Sequence, residues 1–186
     1  MTNIEHLAEV KPNFKWVFQT ASRTIAFGFG TGLSPIAPGT VGTLWAWATF
    51  LLGEYFLSTT DFLWIIGGGI LLGFWICGHI SEELGKKDFG GIVWDEIVAF
   101  WLVLIFIMPA DIWMQMIAFA LFRFFDAMKP GPIGMIDRHF KDIPSNSAQR
   151  STFLQTIWCG FGIVVDDLAA AFFTLLALAL IQFLIQ

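Results

Sequence analysis

Acidic side chains recur next to the apolar segments of this chain, close to the start or the end of a segment. The pairs Asp95-Glu96 and Asp166-Asp167 each precede an apolar run, Asp126 follows another, and Asp88 and Asp137 lie in neighbouring polar stretches. Carboxylate oxygens are the ligands that hard divalent cations such as Mg²⁺ prefer. Adjacent helical residues differ by about 100° in direction. One member of each pair could therefore bind a metal while the other positions it or acts as a base.

Two basic residues flank Asp126 on the same helical face, Arg123 three residues before it and Lys129 three residues after it. They could neutralise Asp126, or they could hold a phosphate beside a carboxylate-bound metal. Helix N-capping is the other explanation for acidic residues at helix ends. It suits Asp88 or Asp137 alone, but the helix dipole disfavours a negative charge at the C-terminal position of Asp126.

A glycine-rich stretch covers residues 28–43 and leads directly into an apolar segment. Its glycines allow backbone N–H groups to approach an anion, and its hydroxyl groups add donors near a helix N-terminus. It lacks the Gly-Lys-Ser/Thr of a nucleotide-binding loop, which disfavours a nucleotide triphosphatase. A turn that only leads the chain into a bilayer fits the spacing equally well. The candidate phosphate-binding residues are Gly30, Thr31, Ser34, Gly39, Thr40, Gly42 and Thr43.

The composition places these residues in a membrane protein. Of 186 residues, 56% are hydrophobic and 13% are charged, whereas soluble domains carry about 25% charged residues. The mean hydropathy of +0.72 predicts an all-α integral membrane protein. A formal net charge of -5 excludes a nucleic-acid-binding surface. The cysteines Cys77 and Cys159 are too few for a disulfide framework and are interpreted as packing residues.

Five apolar segments are long enough to predict transmembrane helices. The fourth contains the polar residue Gln115 and could be partly re-entrant. The first segment could also be partly re-entrant. Residues 1–27 predict an amphipathic segment at the membrane interface, and residues 28–186 the membrane domain. The polar stretch Lys141 to Thr156 predicts a cytoplasmic surface loop that could include a short interfacial helix. The five segments are residues 41–58, 62–80, 92–109, 112–128 and 163–185.

The ten Lys and Arg residues all fall in the N-terminal segment, at the end of the fourth segment or in loops, on one predicted side of the membrane. By the positive-inside rule this side is cytoplasmic, the acidic residues named above as candidates lie at its edge, and the C-terminus is outside. The tryptophans are interpreted as lipid-facing or interfacial, including Trp45, Trp47, Trp64, Trp94, Trp101 and Trp113.

Four motifs in order along residues 28 to 171 together resemble the phosphatidylglycerophosphatase A family. They are GTGLSPIAPGTVGT at Gly30 to Thr43, IVWDEIV at Ile92 to Val98, FRFFDAMKPGPI at Phe122 to Ile133, and GIVVDD at Gly162 to Asp167. The resemblance implies a magnesium-dependent phosphatase of the bacterial inner membrane that hydrolyses phosphatidylglycerophosphate. Ala99 and Ala171 stand where the family usually has glycine, which affects helix packing more than chemistry.

The resemblance also implies which residues form the site. The implied metal ligands are Asp88, Asp95, Glu96, Asp126, Asp137, Asp166 and Asp167. The implied catalytic set is Asp95, Glu96, Asp126, Lys129, Asp166 and Asp167, with Arg123, Arg138 and the glycine-rich stretch holding the phosphate. Asp126 could activate a water, and a covalent aspartyl-phosphate stays open. The rival functions are a cation transporter, which predicts acids spread across the bilayer depth, and a non-catalytic scaffold, which needs no glycine-rich loop.

Overall fold

The computed structural model describes residues 11–86, 89–129 and 153–185, and this part of the chain contains helices and no β-strand. The predicted all-helical class is confirmed. Two short helices, α1 (Phe14–Val17) and α2 (Ala21–Ala26), and a 3-10 segment (Gly28–Leu33) precede the longer helices. The five longer helices are α3 (Pro38–Gly53), α4 (Thr59–Leu84), α5 (Trp94–Ile107), α6 (Ile112–Met128) and α7 (Phe153–Ile185).

Local sequence signals set several of these helix ends. Ser58 and Asp61 form a capping box at the start of α4, each side chain accepting a backbone N–H of the other residue. Asp111 accepts the N–H of Met114 at the start of α6. Helix α4 ends at Gly85, whose φ of 64° is left-handed. The predicted second segment therefore extends at both ends, from 62–80 to Thr59–Leu84.

Helix α5 is the centre of the bundle, because it packs against α3, α4, α6 and α7. Its buried side chains point in all directions around the helix, which is typical of a helix without a solvent- or lipid-facing side. Asp95 and Glu96 lie in its first turn. The central position of α5 therefore brings these two acidic residues to a point where several helices meet.

The interpretation of the tryptophans as lipid-facing or interfacial is wrong for Trp94 and Trp101, which are buried. Their indole N–H groups donate to the carbonyls of Gly69 and Ala46, each at 2.9 Å. A buried indole packs its apolar body in the core and satisfies its single donor with a backbone acceptor. Trp64 is 78% exposed, as a lipid-facing side chain must be.

Helix α7 begins at Phe153, ten residues before the predicted start at 163. The last residues of the predicted loop Lys141 to Thr156 therefore belong to a helix, and the rest of it lies outside the described residues. The Thr156 hydroxyl donates to Glu82 Oε2 of α4 at 2.9 Å, which anchors this first turn. The Asp166-Asp167 pair consequently lies about three and a half turns inside α7, so helix N-capping does not explain it.

Helices α4 and α7 touch backbone to backbone at two glycines. A Cβ added to Gly78 would overlap the carbonyl oxygen of Thr156 and lie 2.9 Å from the backbone nitrogen of Gly160. A Cβ added to Gly160 would overlap the carbonyl oxygen of Phe74. Only glycine permits this approach. The contact holds α7 in the register that carries Asp166 and Asp167 towards α5.

We expect Gly78→Ala to destabilise the protein by about 1–3 kcal/mol, since the added methyl group meets backbone atoms that can move only with a whole helix. The matched control is Gly67→Ala on the same helix, where an added Cβ has no neighbour within 4 Å. Thermal unfolding in detergent should show a lower Tm for Gly78→Ala and an unchanged or higher Tm for Gly67→Ala. Equal Tm values for the two variants would contradict this packing.

Among the described residues, two helices are long and apolar enough to cross a membrane: α4, with 26 residues and a mean hydropathy of 1.8, and α7, whose span Phe153–Leu184 has 32 residues and a mean hydropathy of 2.2. Helices α3, α5 and α6 have 16, 14 and 17 residues, and a straight crossing takes about 20. The predicted total of five transmembrane helices is therefore not confirmed. Apolar residues beyond the helix ends lengthened the first and third predicted segments, whereas the fourth, 112–128, has the same bounds as α6.

The described residues of the N-terminal segment pack onto the bundle. Val17, Ala26 and Phe27 are buried in the core. Arg23 forms an ion pair with Glu83 at the end of α4, and its guanidinium lies 4.2 Å from the centre of the Trp16 ring. The segment is therefore attached to the same end of the bundle as the first turn of α5.

Candidate active site

Four carboxyl groups from three helices come together at this end of the bundle. Asp95 and Glu96 lie in the first turn of α5, Asp126 in the last turn of α6, and Asp167 within α7. The Asp167 carboxyl lies within hydrogen-bonding distance of that of Asp126 and interacts electrostatically with Asp95 and Glu96. Asp95, Asp126 and Asp167 are each less than a tenth exposed. We refer to Asp95, Glu96, Asp126 and Asp167 as the acidic cluster.

Arg123 binds the acidic cluster through one nitrogen. Its Nη1 lies 2.7 Å from Asp126 Oδ2, 3.1 Å from Glu96 Oε1 and 3.4 Å from the hydroxyl of Thr43. A buried carboxylate is costly unless an opposite charge lies close to it, and Arg123 supplies one positive charge to two carboxylates. The residue thereby ties α6 to α5 and to the start of α3.

Lys129 forms an ion pair with Asp166 of α7, the neighbour of Asp167. The sequence placed Lys129 beside Asp126, but Lys129 ends α6 in a left-handed conformation with φ of 43°, which turns the chain out of the helix. A left-handed backbone costs a residue other than glycine about 1–2 kcal/mol, and such strain concentrates at functional sites. Lys129, at the end of α6, is therefore a second cation next to the acidic cluster, and it is bound to Asp166 of α7.

The glycine-rich stretch packs its backbone against the start of α5. A Cβ on Gly39 would overlap the carboxylate of Glu96, and one on Gly32 would overlap the carbonyl oxygen of Gly91. A Cβ on Gly42 would lie 2.9 Å from the Cβ of Val93. These glycines allow the N-terminus of α3 to reach the acidic cluster, and Glu96 lies directly against the first turn of α3.

The hydroxyl groups of this stretch donate to nearby backbone carbonyls. Thr31 donates to Gly28 at 2.9 Å, Ser34 to Ile36 at 2.8 Å, and the fully buried Thr43 to Gly39 at 2.8 Å. Three of the hydroxyls predicted to bind phosphate therefore hold the backbone of the stretch itself. Gly30 and Thr40 are half-buried.

The donor chemistry of the acidic cluster fits a hard divalent cation, because every side chain in it offers carboxylate oxygen. Glu96 Oε2 is buried and has no hydrogen-bond partner among the described residues, so it is available as a ligand. In the described ranges no three acidic, histidine or cysteine side chains are arranged to hold a metal ion.

Three of the predicted site residues, Asp88, Asp137 and Arg138, lie outside the described residues. The structure also adds a neighbour that the sequence did not indicate. Cys77 of α4 is fully buried, and its sulfur contacts the backbone of Asp95. A cysteine within an apolar segment is ordinarily a packing residue. The sequence therefore contains no signal that Cys77 lies beside the acidic cluster.

Comparison with known proteins identifies the family. The sequence model of the phosphatidylglycerophosphatase A family matches residues 24–145, which include Gly39, Arg123 and three members of the acidic cluster. The chain belongs to this family. The resemblance inferred from the four motifs is thereby confirmed. The matched range ends before Asp166 and Asp167, so the place of Asp167 in the acidic cluster and that of Asp166 beside it rest on the structure.

Curated relatives of the phosphatidylglycerophosphatase A family cover most of the chain. The phosphatidylglycerophosphatase A of Haemophilus influenzae is 37% identical over 163 residues, which are 86% of this chain and 87% of the relative. That of Escherichia coli is 35% identical over 152 residues, 78% of this chain and 74% of the relative. A putative phosphatidylinositol-3-phosphatase of Bacteroides thetaiotaomicron is 30% identical over 167 residues, 87% and 93% of the two chains. No solved structure is detectably similar to the chain.

Proposed function

We propose that this protein hydrolyses phosphatidylglycerophosphate to phosphatidylglycerol and inorganic phosphate at the acidic cluster. The observation that carries the proposal is the convergence of four carboxyl groups, three of them buried and that of Glu96 half-buried, with Arg123 at one end of the bundle. Two curated relatives bear the name of this activity. Family membership favours an enzyme over the transporter and scaffold alternatives.

In the proposed reaction the oxygen of a water molecule attacks phosphorus, and the bond from phosphorus to the glycerol oxygen breaks. A carboxylate of the acidic cluster, Asp126 or Asp167, accepts a proton from the attacking water, and the resulting carboxylic acid returns that proton, directly or through a water, to the leaving alkoxide. Arg123 holds phosphoryl oxygens through its guanidinium N–H groups. Direct attack by a carboxylate, which would give an aspartyl-phosphate that water then hydrolyses, is the alternative route.

The charge balance of the site supports a magnesium requirement. The acidic cluster contributes up to four negative charges, and Arg123 returns one positive charge. A phosphate monoester is itself anionic, so it can approach only where further positive charge is present. Bound Mg²⁺ would neutralise charge on the phosphoryl group. Its proposed ligands are Asp95, Glu96, Asp126 and Asp167.

We further propose that the five longer helices lie in the bacterial inner membrane, with the acidic cluster and the interfacial residues 1–27 at the cytoplasmic side. The basic residues among the described ones support this orientation, because they belong to the end of the bundle that holds the acidic cluster. The opposite end carries Glu54, Asp61 and Asp111. These basic residues are Lys11, Lys15, Arg23, Lys86, Arg123 and Lys129.

Phosphate release from phosphatidylglycerophosphate by the purified chain in detergent tests the function. We expect release in the presence of Mg²⁺, its loss when EDTA removes the metal, and its recovery when excess Mg²⁺ is added back. If no phosphate is released with any divalent metal, the proposed enzymatic activity is contradicted. Release that EDTA leaves unchanged would contradict only the magnesium requirement.

The same assay should include phosphatidylinositol-3-phosphate, since one relative is named for that substrate class. We expect faster release from phosphatidylglycerophosphate, because the two relatives with the higher identity bear the name of that activity. A faster reaction with phosphatidylinositol-3-phosphate would support the phosphatase chemistry but contradict the proposed head-group specificity.

A further inference from the structure

The hydroxyl of Thr43 joins the first turn of α3 to the cation of the acidic cluster. Thr43 is fully buried on α3. Its hydroxyl proton is donated to the carbonyl of Gly39 at 2.8 Å, and its oxygen faces Arg123 Nη1 at 3.4 Å. A hydroxyl has one proton and two lone pairs. With the proton committed to Gly39, the oxygen is oriented to accept from Arg123.

A buried threonine inside a helix often bonds the carbonyl four residues earlier, and that bond alone implies no further role. Thr174 of α7 is an example of this common bond, because it is fully buried and donates to the carbonyl of Ala170 at 2.7 Å. Thr43 makes the same bond and in addition contacts Arg123. The contact with a charged side chain of the site is what distinguishes Thr43.

The contacts of Arg123 explain why its placement needs support. Glu96 of α5 and Asp126 of α6 both contact the same nitrogen of Arg123, Nη1. Thr43 of α3 offers that nitrogen an uncharged hydrogen-bond acceptor. Arg123 Nε is buried and has no hydrogen-bond partner among the described residues. Such a donor is costly to leave without an acceptor, and a phosphoryl oxygen of the substrate would supply one.

We propose that Thr43 is a positioning residue that aims the guanidinium of Arg123 at the phosphoryl group, and that it does not bind phosphate itself. The inference rests on the proposed phosphatase function. Thr43 acts by accepting a hydrogen bond from Nη1 while Gly39 holds its hydroxyl in place. The start of α3 thereby sets the position of a cation that belongs to α6.

The test compares Thr43→Val, which removes the hydroxyl at nearly constant volume, with Thr43→Ser, which keeps it. We expect Thr43→Val to lower kcat/KM for phosphate release from phosphatidylglycerophosphate by about 10- to 100-fold, the range seen when a supporting hydrogen bond is lost behind a site residue. Thr43→Ser should stay within about threefold of wild type. Thr174→Val, which removes an equivalent buried hydroxyl away from Arg123, should leave kcat/KM unchanged.

A double-mutant cycle separates positioning from a merely structural effect. If Thr43 acts through Arg123, the loss caused by Thr43→Val should disappear in an Arg123→Ala background. Full persistence of the loss there, or wild-type kcat/KM in Thr43→Val, would overturn the inference. If Thr43→Val does not fold, Thr43→Ala takes its place in both measurements. An inactive wild type would overturn the proposed function, whereas an active wild type with an equally active Thr43→Val overturns this inference alone.

Discussion

Asp167→Asn is expected to lower the rate of phosphate release by about 10²- to 10³-fold, the scale of losing one preorganised electrostatic group from an active site. The carboxyl of Asp167 interacts with all three other members of the acidic cluster. Asparagine keeps the size of the side chain and removes its charge. The substitution therefore tests the charge of Asp167 with little change in packing.

The same substitution should leave the Tm unchanged or raise it. Like charges that are buried together repel one another, so removing one of four carboxylates relieves the folded state. Loss of activity together with retained stability is the pattern expected where function and stability conflict. The two measurements are phosphate release from phosphatidylglycerophosphate and thermal unfolding, both in the same detergent.

Asp111→Asn is the matched control. Asp111 caps α6 at the opposite end of the bundle, and asparagine caps helices about as well as aspartate. We expect full activity in this variant. Activity of Asp167→Asn within a few fold of wild type, or an equal loss in Asp111→Asn, would remove the acidic cluster as the site of the reaction.

Gly39→Ala is expected to lower kcat/KM by about 10²-fold, because a small displacement of a site residue can cost that much. The added methyl group would occupy the position of the Glu96 carboxylate. That carboxylate is the end of a flexible side chain, so it can move aside without displacing a helix. The chain should still fold, with a Tm close to that of wild type, while Glu96 loses its position.

Gly68→Ala on α4 makes the same chemical change where an added Cβ has no neighbour within 4 Å. It should retain wild-type kcat/KM. A fully active Gly39→Ala would show that Glu96 need not lie against α3 for catalysis. A Gly39→Ala protein that does not fold would instead show that the contact is structural.

The sequence correctly predicted the ends of helices where local hydrogen bonds determine those ends. The fourth predicted segment, 112–128, agrees with α6 as observed, because Asp111 caps its start and the chain leaves the helix at Lys129. The start of α7 was wrong by ten residues. Its first turns are stabilised by contacts with α4, at Glu82 and at the glycine pair Gly78 and Gly160. Such contacts join residues far apart in the chain and leave no local pattern.

The partners within the site also depended on the packing of whole helices. The spacing of Arg123, Asp126 and Lys129 correctly indicated the pair between Arg123 and Asp126, because residues three apart share a helix face. It did not indicate that Lys129 pairs with Asp166. That pair depends on the left-handed end of α6 and on the register of α7.

The amino-acid sequence by itself determined the helical class, the family and the acidic, basic and glycine residues available for chemistry, because these follow from residue type and local order. The tertiary structure decided which of these groups meet. It moved Asp166 and Asp167 from a helix start to a helix interior, placed Gly39 against Glu96, and buried Thr43 behind Arg123. The physical reason is that each of these contacts depends on the crossing and register of separate helices, which long-range packing sets.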